Sequence, residues 1–452
     1  MKSFFLNLLV LLTGGLFSLS AADRPNIVLL LSDDQAWTDY GFMGHEAIKT
    51  PHLDRLASRS AVFKRGYVPI ALCRPSLMTL ATGLYPHQHH VTGNDPSPLL
   101  AEKNSPQSHQ LRADLIANID KHPVLPKLLA QQGYLSYQTG KWWEGDPQRA
   151  GFTAGMTRGF PKPGGRHGDD GLKIGREGMQ PVYQYIDEAV EKKQPFFLWY
   201  APFLPHTPHN PPPRILKKYQ QEGRPESIAK YYAMCEWFDE TCGQVIDYVD
   251  KKGLTQNTMF IYLCDNGWVQ DPQGKGFLTG SKQAPQEAGV RQPTLFSWPG
   301  KIKAGDYPEV ISSIDFMPTV LSAAGAAIPA SLPGVDLMPL LTEGKNIDRE
   351  AIFGESFAHD IADLNEPEAS LLYRWCIEGK WKLLLTYDGK VNRYPNLHQR
   401  KHPEPFLTDL LADPNESTNL AAQNPEVVNR LAQRIDQNWP LKKAKMLGKL
   451  PE

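Results

Sequence analysis

Asn26-Ile27-Val28-Leu29-Leu30-Leu31-Ser32, running directly into Asp33-Asp34, is the stretch that decides the fold. A strand on a half-wet sheet alternates apolar and polar residues. An unbroken apolar run such as this belongs to a strand buried on both faces, as in a parallel sheet clad in helices. Two carboxylates immediately after such a strand stand at its carboxyl end, where open α/β sheets hold their ligands.

The same grammar repeats outward along the chain. Thr50-Pro51 opens a helix, with Thr as N-cap and Leu53, Leu56 and Ala57 at helical spacing. Residues 124–132 read as a helix ended by Gly133, 134–139 as a strand, 182–193 as a helix and 195–200 as a strand. A long amphipathic helix over 228–252 stops at Gly253, and strands follow at 258–264 and 293–298. Asp315 is the expected cap of a helix reaching Ala324. The Gly-rich, basic segment 151–178 reads as a long surface loop. Strands alternating with helices predict an α/β fold with a mixed, mostly parallel sheet covered on both faces. Beyond Gly344 the texture changes to a hairpin over 371–386 and a last helix capped by Asn424-Pro425. The expected organisation is therefore a main unit over 23–344 and a small C-terminal α+β subdomain over 345–452.

Composition narrows the class. With 41% hydrophobic and 21% charged residues, the chain is neither disordered nor fibrous. Lys+Arg 48 against Asp+Glu 49 gives a net charge of −1, which argues against a nucleic-acid partner. Lys2, the apolar run from Phe4 to Leu19 and the small residues Ser20-Ala21-Ala22 form a signal-peptide pattern over residues 1–22. The run is shorter than the roughly 20 residues of a membrane span, so export is expected, with no span left after cleavage. Five cysteines make no disulfide framework. Cys235 and Cys242 lie seven apart on one helix, roughly 10 Å and too far to bridge.

Polar residues collect after the predicted strands: Asp33-Asp34, Gly140-Lys141-Trp142-Trp143, Pro205-His206-Thr207-Pro208-His209 and Asp265-Asn266-Gly267. Asp33, Asp34, Asp265 and Asn266 are hard oxygen donors, suited to Ca²⁺ or Mg²⁺ rather than Zn²⁺. Loop capping is the plain alternative for each pair alone. Cys73-Arg74-Pro75-Ser76 fits the first turn of a short helix, whose N-terminus attracts an anion. Cys73 is there either a nucleophile or an ordinary buried thiol.

These segments resemble the type I sulfatases of the alkaline-phosphatase superfamily, in order and spacing, over nearly all of the chain. The resemblance also rests on Thr82-Gly83-Leu84-Tyr85-Pro86-His87, Lys282 with Glu287-Ala288-Gly289-Val290-Arg291, Trp298-Pro299-Gly300-Lys301-Ile302, Asp315-Phe316-Met317-Pro318-Thr319 and Asp413-Pro414-Asn415-Glu416. It implies an alkaline-phosphatase-like fold. It further implies that a formylglycine-generating maturation enzyme converts Cys73 to formylglycine, whose hydrated aldehyde attacks the sulfur of a sulfate ester. Asp33, Asp34, Asp265, Asn266 and the modified Cys73 would bind one Ca²⁺. Lys141 and Lys282 would hold sulfate oxygens, and His206 would protonate the leaving alcohol or contact sulfate. His87 and His209 are expected to line the pocket. The implied substrate is a sulfated carbohydrate or another sulfate ester.

Two positions depart from the family pattern. Leu77 stands where Cys-x-Pro-x-Arg has its arginine, and Trp143 where Gly-Lys-Trp-His has its histidine. Two other readings stay open beside the sulfatase. One is a phosphatase or phosphodiesterase of the same superfamily, which would carry a second metal and a Ser or Thr nucleophile. The other is a non-catalytic sulfate-ester-binding relative.

Overall fold

The computed structural model describes residues 24–102, 104–391, 393–397, 400 and 402–451. The predicted signal peptide lies outside the described residues. The apolar stretch Asn26–Ser32 forms strand β1, paired in parallel with a strand on each side. Its residues divide by the period of two that a strand imposes. Ile27, Leu29 and Leu31 enter the core on one face of the sheet, and Val28 and Leu30 the core on the other.

In chain order the elements that position the site are helix α1 (Pro51–Ala57), β2 (Ala61–Phe63), α2 (Cys73–Thr82), α3 (Leu125–Ala130), β3 (Leu135–Gly140), β4 (Ala154–Gly155), α4 (Gln180–Lys192), β5 (Phe196–Ala201), α5 (Glu226–Lys251), β6 (Thr258–Cys264), β7 (Thr294–Ser297), β8 (Gly305–Tyr307) and α6 (Phe316–Ala323). The eight strands lie in the order β8-β2-β7-β6-β1-β5-β3-β4. Pairing is parallel from β6 to β4 and between β8 and β2, while β7 runs antiparallel to both β6 and β2. Helices α2, α3 and α6 cover one face, and α1, α4 and α5 the other. This is the expected mixed, mostly parallel sheet.

The C-terminal sheet is antiparallel: β9 (Ile352–Phe357), β10 (Leu371–Glu378), β11 (Trp381–Thr386) and β12 (Phe406–Asp409). The amphipathic helix α7 (Pro425–Asn438) packs Val428, Leu431, Ala432 and Ile435 against Leu371, Cys376, Leu383 and Leu407.

Three expected caps act differently. Thr50 precedes α1, but its hydroxyl bonds Asp54 at 2.9 Å and accepts the Gly41 N–H at 2.8 Å. The first amides of α1 go instead to Asp239 of α5, from His52 at 3.1 Å and Leu53 at 2.7 Å. Asp315 accepts from Ser312 and Val335 N–H, both at 2.9 Å, and pairs with Arg349, rather than closing the first turn of α6. Asn424 donates to the Leu420 carbonyl at 3.0 Å and makes no cap bond. Segment 151–178 is more than a surface loop: it contributes β4 to the sheet edge and buries Phe152 and Ile174.

Candidate active site and metal centre

The carboxyl ends of β1, β3, β5 and β6 converge, and each delivers its polar residue through a specific backbone device. Asp33 N–H bonds the Leu204 carbonyl at 3.1 Å, and Asp265 N–H bonds the Ser32 carbonyl at 3.0 Å. Asp34 sits at φ 65°, a left-handed conformation that Asp tolerates better than most residues. At Gly140, φ is 78° and a Cβ would lie 1.8 Å from the Ala201 carbonyl oxygen, so only glycine fits. That close approach lets Lys141 N–H reach Ala201 at 2.7 Å and turns the lysine inward.

Four of the predicted site groups come together closely. Ligand atoms of Asp33, Asp34, Cys73 and His206 all lie within 4.8 Å of one another. Lys141 Nζ donates to both oxygens of Asp33 at 2.7 Å and stands 3.7 Å from Asp265 Oδ2. Lys282 Nζ donates to Asp34 Oδ2 at 2.6 Å, and Asn266 Nδ2 to Asp34 Oδ1 at 2.6 Å. His206 Nε2 is 3.4 Å from Asp34 Oδ2, while its Nδ1 donates to the Thr207 carbonyl at 2.6 Å. Cys73, the first residue of α2, holds its sulfur 3.9 Å from Asp33 Oδ1.

The electrostatics are those of a centre with one negative charge too many. Three carboxylates, Asp33, Asp34 and Asp265, meet the two lysines Lys141 and Lys282, with His206 Nε2 beside Asp34. Burial alone would raise the Asp34 carboxyl, but Lys282, His206 and Lys141 hold it down at about 2. Asp265 goes the other way, pushed well up by burial and by Asp33. Asp265 Oδ2 and Asn266 Oδ1 are buried without a hydrogen-bond partner among the described residues. Orphaned hard oxygens beside surplus negative charge fit a divalent hard cation. Burial pushes the Cys73 thiol up to about 12, so it is no ready thiolate. Burial also lowers His206 to about 4, and Lys141 is held well above its ordinary value by Asp33 and its neighbours despite burial.

The centre opens into a cavity of about 340 Å³ that Cys73, Lys141, His206 and Lys282 line. Its outer wall contains residues the sequence reasoning did not single out, among them Asn94, His167, His359, Arg393 and Tyr394. They arrive from loops remote in sequence, without a motif. The Gly164-Gly165-Arg166-His167-Gly168 run was the one available signal, a histidine inside a glycine-rich turn. His209 lines a neighbouring cavity instead, and His87 stacks on Trp439 and pairs with Glu355.

Both departures have a structural setting. Leu77 is buried in the apolar cluster that also holds Cys73 and Trp143. Arg74 does not replace the missing arginine: it forms a bidentate pair with Glu144, both bonds at 2.7 Å. Trp143 lies under the guanidinium groups of Arg166 at 4.5 Å and Arg74 at 5.9 Å.

The sequence matches the family described as Sulfatase over residues 25–326, and that described as N-sulphoglucosamine sulphohydrolase, C-terminal, over residues 281–440. It is 30% identical to N-acetylgalactosamine-6-sulfatase of Canis lupus familiaris, covering 95% of this chain and 87% of that one. It is 28% identical to arylsulfatase A of Homo sapiens, covering 94% and 89%. Among solved structures, a protein in complex with its substrate D-glucosamine-2-N,6-O-disulfate superposes with a TM-score of 0.68 at 19% identity, covering 92% of this chain and 97% of that one. The chain belongs to the sulfatase family, with the alkaline-phosphatase-like fold. It is a sulfuric ester hydrolase.

Proposed function

We propose that this protein is an exported sulfatase that removes sulfate from a sulfated carbohydrate, using a formylglycine made from Cys73. The observation that carries the reading is Cys73 at the buried start of α2, facing Asp33, Lys141 and Lys282 at the floor of the cavity. The family's named relatives include N-acetylgalactosamine-6-sulfatase, which supports a sulfated sugar as the substrate class. The apolar start of the chain supports export. No helix among the described residues is long and apolar enough to cross a membrane.

Asp33, Asp34, Asp265, Asn266 and residue 73 would hold one Ca²⁺, which supplies Lewis-acid polarisation of a sulfate oxygen. Formylglycine at residue 73 supplies a hydrated aldehyde as nucleophile. Lys141 and Lys282, already buried and charged, neutralise the sulfate oxygens without reorganising. The Nδ1–H bond to Thr207 fixes the tautomer, so that His206 Nε2, 3.4 Å from Asp34 Oδ2, is the nitrogen that carries a proton toward the leaving oxygen. Burial opposes that charged state, and a bound sulfate anion restores it.

The test is mass spectrometry of the Cys73 peptide from protein made with a maturation enzyme, joined to sulfate release from a panel of sulfated sugars. Aldehyde at residue 73 and release that disappears in Cys73→Ala are expected. Intact thiol in active protein would overturn the mechanism. Full conversion without release from any sulfate ester would overturn the substrate class.

A further inference from the structure

His167 lines the cavity but takes no part in the acid–lysine centre. Its ring centre is 5.2 Å from Trp143 and 5.3 Å from Phe203. Phe203 in turn stacks on His206 at 4.1 Å, and Lys141 Nζ lies 5.5 Å above the same ring. His167 and His206 thus line the same cavity and pack on the Phe203 ring between them. His167 Nδ1 is buried without a hydrogen-bond partner among the described residues. Trp143 beside it offers nothing in exchange, since its Nε1 is buried and also unpartnered. A buried imidazole nitrogen left unpaired costs free energy unless a ligand satisfies it.

The segment that carries His167 is held firmly. The His167 carbonyl accepts from Trp142 N–H at 3.2 Å, and the Gly168 carbonyl from Thr157 Oγ1 at 3.0 Å. A Cβ at Gly165 would lie 2.4 Å from the Gly159 carbonyl carbon, so glycine is required for this packing. Burial lowers the His167 ring to about 3, and the charges of Lys141, Arg166 and His206 act in the same direction. At neutral pH the ring is uncharged, with one N–H to give.

We infer that His167 is a substrate-contacting residue, donating a ring N–H to a sulfuryl oxygen of the bound ester from the cavity wall it shares with His206. The inference rests on the sulfatase reading of the site and extends it to a segment outside every recognised motif.

The test uses the full-length, calcium-loaded protein and inorganic sulfate as probe, with calorimetric titration as the readout. His167→Phe keeps the ring packing against Trp143 and Phe203 and removes the N–H. It should weaken sulfate binding by about tenfold. His167→Gln restores a donor and should stay within about threefold of wild type. Sulfate affinity unchanged in His167→Phe would overturn the inference, as would equal weakening in Phe and Gln variants of unchanged melting temperature. Ester hydrolysis is measured in parallel. A wild type that binds sulfate but cleaves no ester would sink the sulfatase reading, and the titration would still decide His167.

Discussion

Two buried lysine–carboxylate clusters lie close in sequence and differ in what they leave undone. Lys282 belongs to the first, and Glu287, five residues on, belongs to the second. In the second, Lys382 Nζ bonds Glu287 Oε1 at 3.1 Å and Glu416 Oε1 at 2.9 Å, Tyr67 gives its hydroxyl to Glu287 Oε2 at 2.9 Å, and the Glu287 N–H goes to Glu416 at 2.5 Å. Arg291 stands 3.8 Å from Glu287 Oε2 as well, so two cations meet two carboxylates, and the cluster ties the C-terminal sheet to the main sheet's loops. The first cluster has three carboxylates for two lysines, two orphaned oxygens and an open cavity. Burial and ion pairing are common to both. Unfinished coordination distinguishes a site from a staple.

The sharpest way to break this comparison is to remove a carboxylate from each side. Asp265→Ala should abolish calcium binding, read by metal analysis, and lower kcat/KM by about 10³-fold, or ~4 kcal/mol. A variant that keeps both would put the cation elsewhere. Lys382→Met should leave Glu287 and Glu416 buried and facing each other, costing ~3 kcal/mol or more in denaturant unfolding. Its calcium affinity should stay within about threefold, because the staple touches no proposed ligand. Loss of calcium with full stability would show the two clusters to be one.

Lys282→Ala addresses the chemistry more gently. A fall in turnover of at least about tenfold, ~1.4 kcal/mol, is expected on a confirmed ester. An unchanged rate would reduce Lys282 to a structural partner of Asp34.

The smallest effect concerns Asp239, a buried carboxylate outside both clusters, which accepts the amides of His52 and Leu53. Lacking a lysine, it is pushed up by burial from 3.8 to about 7, whereas Lys282 and its neighbours hold Asp34 at about 2. The native state then keeps a proton that the unfolded chain has released. The contribution to stability is full below pH 3.8 and is lost as pH rises toward about 7. Asp239→Asn should remove this slope, so its melting temperature relative to wild type should rise by roughly 2 °C between pH 5 and 7.5. A constant difference across that range would mean that Asp239 is ionised in the fold.

The sequence by itself carried the sheet and its polar edge. The unbroken run from Ile27 to Leu31 required burial on two faces, and the position of Asp33, Lys141, His206 and Asp265 after their strands required one shared edge. Both are local readings of period and order, so they survive without tertiary information. What the chain does with those charges was decided only in three dimensions. Lys141 finds Asp33 across 108 residues and Lys282 finds Asp34 across 248, while Arg74, adjacent to Cys73, turns to Glu144. Thr50 and Asp315 had the right local positions for caps and bonded Asp54, Arg349 and loop amides instead. His167 had only a glycine-rich turn to mark it, and the packing of segment 151–178 brings it to the cavity. A buried polar group settles on whichever partner the fold places within hydrogen-bond reach, and that choice is not written in any window of neighbouring residues.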